Sequence, residues 1–172
     1  VRIEHRQSDI DAVQYKEYAG HPALGAATYK LACHLPNGRS AFSFCVCPGG
    51  QVVAAASEQG RAVTNGMSEY ARDGENSNAA LLVGIDPEHF GSDHPLAGIE
   101  LQRKIEKTAF ELGGGDYSAP CQTIGDFLAN RPSTKLSYVR PTVATGVTPT
   151  DIRKVLPEKV TDIMAKAIVK MD

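Results

Sequence analysis

Turn-forming residues recur at short intervals through the first half of the chain and cut its apolar runs to strand length. A chain punctuated this way folds into short strands joined by reversals rather than long helices. Pro36-Asn37-Gly38 is the strongest hairpin signal, because Asn and Gly tolerate the positive φ that tight hairpins demand. It joins a strand over Thr28 to His34 to a second over Ala41 to Cys47, where Phe42 and Phe44 alternate with smaller residues. Pro48-Gly49-Gly50 then predicts a tight reversal. Gln51 to Ser57, rich in Val and Ala, follows as a strand buried on both faces, with a further strand over Arg61 to Gly66. Asp73 to Asn78 reads as polar and turn-like, and Ala79 to Ile85 as an apolar strand ended by Asp86-Pro87. Before these, Val1 to Glu4 has strand character. Ser8, with Asp11 three residues on, predicts a capped short helix over Asp9 to Tyr15.

The pattern changes near His94. Pro95 suits a first helical position, and Leu96 to Leu112 has helical spacing, with Ile99, Ile105, Ala109 and Leu112 on one face and a Glu100–Lys104 pair. Gly113-Gly114-Gly115 stops that helix. Thr123 to Ala129 is a short helix or turn, and Arg131 to Val147 is loop-like. Thr148-Pro149-Thr150-Asp151 has the form of a helix start, and Leu156-Pro157 opens a last helix. In that helix Val160, Ile163, Met164, Ala167, Ile168 and Met171 form one apolar face. The expectation is an α+β fold: an antiparallel sheet or small β-barrel over about 1–92, and a helix-rich part over about 93–172.

Composition bounds the function. The 172 residues are 42% hydrophobic and 22% charged, so disordered and collagen-like classes are out. A net charge of −2 argues against a general nucleic-acid binder or a polybasic membrane clamp. No apolar stretch approaches the roughly 20 residues of a membrane helix. Without Trp, and with 6% aromatics, the core is built mainly from Ala, Val, Leu and Ile. Nothing suggests secretion, so the four cysteines read as free thiols in a reducing cytoplasm. On a regular strand Cys45 and Cys47 stand roughly 6.6 Å apart with parallel side chains, which argues against a bond between them.

Motifs for nucleotide chemistry are missing. No Gly-x-Gly-x-x-Gly opens a helix after a strand, and there is no Walker A pattern and no nucleophile elbow. The five histidines have no metal-ligand spacing. Cys45-Val46-Cys47 could be a redox or metal pair. Thiols activated for exchange sit beside cations or helix N-termini, and no Lys or Arg lies between Arg39 and Arg61, so small buried hydrophobes are the favoured reading. Asn65 to Ser68 and Arg72 to Asn78 form the densest polar stretch. It could bind a flat polar or anionic ligand, or simply be a solvated loop.

Five blocks in order, HPALGAATYKL (21–31), FSFCVCPGGQVVAAASE (42–58), TNGMSEYARDGENSNAALLV (64–83), HPLAGIELQRKIEKTAFELGGGDYSAPCQTIGDFL (94–128) and GVTPTDIRKVLP (146–157), resemble the central region of the uncharacterised FAD-dependent (NAD/FAD-utilising) dehydrogenases, flavoproteins related to the aminoacetone-oxidase-like group. The resemblance implies a substrate-side insert domain that covers a flavin held by a Rossmann-type FAD-binding domain elsewhere in the same longer chain. A start at Val1 instead of Met fits such an excised piece. It further implies a small-molecule substrate, FAD in the full-length protein, no activity in isolation and a cytoplasmic setting. The family's most recognisable blocks fall on Cys47, Pro48, Gly49 and Gly50 and on Asn65, Gly66, Met67 and Ser68, which are the implied cofactor contacts. Gly49 and Gly50 would let backbone approach a planar ring. Arg72, Asn76 and Asn78 are the implied substrate contacts. The alternative is a free-standing α+β binding module without redox activity.

Overall fold

The computed structural model describes residues 1–172. Its larger sheet contains β1 (Arg2–Arg6), β2 (Ala32–His34), β3 (Ser40–Ala54), β4 (Thr64–Ser68) and β5 (Asn76–Val83). The order is β1-β5-β3-β2, β4 pairs with β3, and every pairing is antiparallel. The sheet curls into a half-barrel, and with the helices this makes an α+β fold. A small parallel pair, β6 (Ala119–Cys121) with β7 (Val147–Pro149), lies beside α2 (Ala97–Gly113). The remaining helices are α1 (Gln7–Tyr15), α3 (Ile124–Leu128) and α4 (Glu158–Met171).

Alternation along the strands sorts the side chains between two faces. One face carries Ala41 and Leu81, with Cys33 from β2, and α4 covers it. Val160, Met164 and Ala167 complete that core with Phe127 of α3. The apolar face expected for the last helix is therefore the one that closes the core, with Ile168 and Met171 at its margin. The opposite face carries Phe42 paired with Leu82, Phe44 with Ala80, and Cys47 with Asn78. Asn78 and Ala80 lie opposite Glu4 and Arg2 of β1. At one end this face is open: Phe42 is 40%, Phe44 62% and Leu82 42% exposed. At the other end it curls over a polar interior.

The main departure from expectation is at Pro48-Gly49-Gly50. No reversal occurs there. β3 runs through it as one 15-residue strand, because two extra residues are absorbed as bulges, one between Phe44 and Cys47 and one between Cys47 and Gly50. Cys45 (φ 47°) and Gly49 (φ 52°) take the left-handed conformations that the bulges need. The reversal falls later, between Ala54 and Thr64, so Ala55 to Ser57 are exposed loop and Gln51 is exposed as well. The fourth strand begins at Thr64, not at Arg61. Asn76 to Asn78 are not a turn but the buried start of β5. β1 supplies a charged partner to one side-chain atom of Asn76 and one of Asn78, as described below. Cys45 is exposed, contrary to its reading as a buried hydrophobe, while Cys47 is buried.

Several ends also move. α1 begins at Gln7, with no side-chain cap from Ser8. The Gln7 N–H is satisfied by the Glu75 carbonyl at 2.8 Å, a tertiary partner that replaces the local cap. Thr28 to Leu31 stay irregular, and only Ala32–His34 pair. Val147–Pro149 forms a strand, so the expected helix start is delayed. Asp151 instead caps a single 3-10 turn over Ile152–Lys154 by accepting from the Arg153 N–H at 3.1 Å. α2 ends at Gly113, and left-handed Gly114 caps it within the expected glycine stop. Glu100 pairs with Arg103 at 2.9 Å rather than with Lys104, and Ile99 remains 46% exposed.

Candidate functional site

The bulged segment of β3 is where the chain's polar chemistry gathers. Cys47, Pro48, Gly49 and Gly50 are all buried. The Gly49 N–H donates to Gln7 Oε1 at 2.7 Å, and Gln7 Nε2 donates to Asp11 Oδ1 (2.7 Å) and to the Ala27 carbonyl (3.0 Å). The Ser68 hydroxyl donates to the Pro48 carbonyl at 2.8 Å, and Gly50 pairs with Ser68 and with Asn76. One helix and two strands therefore fix the bulge.

Arg2 is the centre of the interior. Its Nε donates to Asn78 Oδ1 at 3.0 Å, and its Nη2 donates to the same oxygen, to the Cys45 carbonyl (3.1 Å) and to Cys47 Sγ (3.2 Å). Gly66 of β4 lies directly over this group; a Cβ there would overlap Arg2 Nη2 and Asn78 Oδ1. Asn76 Nδ2 donates to Glu4 Oε2 (2.9 Å) and to the Arg140 carbonyl (2.7 Å), and Glu4 also accepts from the Thr142 N–H (3.1 Å) and hydroxyl (2.7 Å). Asn76 and Asn78 are 1% and 0% exposed, and Asn76 Oδ1, Ser77 Oγ and Asn78 Nδ2 have no protein partner. Burial pushes the Cys47 thiol above its ordinary range, and the Arg2 guanidinium opposes that shift.

The residues singled out in the sequence thus converge, in two layers. Cys47 to Gly50, Asn76 and Asn78 form a buried inner layer, with half-buried Gly66 above it. Asn65, Met67 and Arg72 face outward, Met67 being 52% exposed, with Ser68 between the layers. A shallow open depression lined by Gly25, Ser68, Glu69, Tyr70, Ala71 and Arg72 adjoins the outer layer. The room that glycine leaves at 49 and 50 is taken by the chain itself: a Cβ at Gly49 would overlap the Arg72 backbone, and one at Gly50 the Met67 carbonyl. These glycines serve internal packing and do not form an open cradle. Arg2, Glu4 and Gln7 are missing from the sequence reading. The alternation Arg2, Glu4, Arg6 around Ile3 and His5 was the available signal.

Asp86, Glu88 and His89 bring three ligand-type atoms together on the surface. Arg39 pairs with both carboxylates, with Asp86 in close contact and with Glu88 at 3.3 Å, so the cluster already has its counter-charge.

An uncharacterised protein of Clostridium beijerinckii is 47% identical over 173 residues. The match covers 100% of this chain and 32% of that relative, so the chain spans about a third of its length. The family described as FAD-dependent protein, C-terminal domain-like, matches residues 1–172. With the match running over every residue of the half-barrel and its covering helices, the chain belongs to that family.

Proposed function

We propose that this chain is the substrate-side wall and cover of the flavin site in a larger FAD-dependent oxidoreductase, shaping that site while doing no flavin chemistry alone. One observation carries the reading. The residues that resemble the family's marked blocks converge on the β3 bulge, yet their glycines are filled from within. Such an arrangement makes a rigid wall, and it does not fit a dinucleotide: there is no helix N-terminus behind a glycine turn to receive the pyrophosphate. FAD is then held by another part of the longer chain, and that part packs against the open sheet face bearing Phe42, Phe44 and Leu82.

In this reading Cys47 to Gly50 and Gly66 set the contour of the wall, and Asn76 and Asn78 brace it from behind. Asn65, Met67 and Ser68 are the groups nearest the flavin side. Arg72 offers an exposed guanidinium to an anionic group of the substrate, which it can grip with two parallel hydrogen bonds. Arg72→Ala in the full-length flavoprotein is expected to raise KM about tenfold, the size of one lost charged hydrogen bond, with flavin content unchanged. Loss of flavin in that variant would make the segment part of the cofactor's own site. An unchanged KM would remove Arg72 from the substrate's path.

A further inference from the structure

We propose that Cys45 and Cys47 form a reversible dithiol–disulfide pair, with Cys45 exchanging with small external disulfides and Cys47 resolving the adduct. The objection from regular strand geometry does not hold at this place. Cys45 has φ 47°, and the bulge between Phe44 and Cys47 breaks the parallel stacking of positions i and i+2. Cys47 Sγ lies 3.4 Å from the carbonyl oxygen of Cys45. One guanidinium nitrogen, Arg2 Nη2, contacts that same carbonyl and the Cys47 sulfur. A cation is thus supplied to Cys47 from β1, far away in sequence; it offsets part of the burial that holds this thiol protonated, as suits the partner that reacts second.

The two thiols differ as an exchanging pair requires. Cys45 is exposed and open to an incoming disulfide, while Cys47 is only 7% exposed and sheltered from one. Neither other cysteine can substitute: Cys33 lies in the core under α4, and Cys121 is on the separate β6–β7 pair. The far side of the bulge is clamped at Gly49 by Gln7 and at Pro48 by Ser68, whereas Cys45 is held only at its carbonyl and its side chain is exposed.

The chemistry is thiol–disulfide exchange. The Cys45 thiolate attacks one sulfur of a disulfide R–S–S–R. That bond breaks, one thiolate leaves and takes a proton from water, and Cys45 is left as the mixed disulfide. Cys47 gives up its proton to solvent and attacks the Cys45 sulfur, expelling the second thiol. Two protein thiols are oxidised to one disulfide as one external disulfide is reduced to two thiols. No flavin takes part, so this proposal and the flavin-wall reading stand or fall separately.

The test equilibrates the chain in buffers of graded reduced-to-oxidised glutathione ratio, quenches with acid, alkylates with N-ethylmaleimide and maps the peptide containing both residues by mass. The expected product in oxidising buffer is a peptide lacking two hydrogens, unalkylated at both cysteines and restored by dithiothreitol. Cys47→Ser should stop at a stable glutathione adduct on Cys45, and Cys45→Ser should take up no glutathione. A wild-type chain that ends as a lasting Cys45 adduct with Cys47 still alkylatable, or that stays reduced throughout, would overturn the proposal. The wild-type result decides the matter even where a variant fails to fold.

Discussion

Arg2 ties β1 to two other strands through one guanidinium: to β5 at Asn78, and to β3 at Cys47 and the Cys45 carbonyl. Its environment tolerates no added atom at Gly66, so Gly66→Ala must displace the Arg2–Asn78 contact. Overpacking of this kind costs about 2 kcal/mol, and a urea unfolding curve should show it as a lowered midpoint. His5, on the other face of β1, has a half-buried ring edge-on to Tyr29 with centroids 6.0 Å apart, and its Nδ1 has no partner. Burial pulls its pKa below the ordinary 6.5, with Asp9 opposing. The neutral ring is favoured in the fold, so the unfolded chain binds more protons just below pH 6.5. His5 therefore contributes stability that is complete above that pH and is lost as pH falls through 6.5 toward the depressed folded value. Midpoints at pH 7.5 and 5.5 should differ more for the wild type than for His5→Gln; equal differences would show that His5 does not carry the effect. None of these roles could be read from residue type alone. Arg2 and His5 act through partners more than 20 residues away, and sequence spacing carries no signal for such pairs.

Local pattern and tertiary demand divide at the level of elements. The existence and apolar face of α4 were legible from helical spacing, while what the face covers became visible only in the fold, where it closes the sheet. Met164, 3% exposed against the core, is its central residue. Met164→Ala is expected to destabilise by about 3 kcal/mol, as buried Met or Leu truncations do; calorimetry giving no loss would mean that α4 is not the lid of the core. The Asn37-Gly38 hairpin and the glycine stop of α2 were legible for the same reason, since each is a local preference that tertiary structure leaves alone. β3 was not. Pro48-Gly49-Gly50 has every local mark of a reversal, yet flanking strands pair with both halves of β3, and the ladder outweighs the turn preference by bulging. Asn76 to Asn78 misled in the same way: the run has the polarity of a turn, but a neighbouring strand brings Glu4 to Asn76 Nδ2 and Arg2 to Asn78 Oδ1.

As a whole molecule, the chain has one face closed by α4 and one left open, a distribution suited to a part that meets a larger body. No helix is long and apolar enough to cross a membrane. Polar density drew attention to Asn65 to Ser68 and Arg72 to Asn78, whereas Cys47 to Gly50 entered only through resemblance, since no composition or spacing argument selects that run over any other turn-like one. Their layering became visible only once β3 and β4 were paired. The central claim is that this domain shapes a flavin site without holding the flavin. Equilibrium titration of the isolated chain with FAD, followed by quenching of flavin fluorescence, tests it most directly. No saturable binding is expected up to flavin concentrations of about 100 μM, where a specific site would contribute more than about 5 kcal/mol. Saturation at one FAD per chain would contradict it.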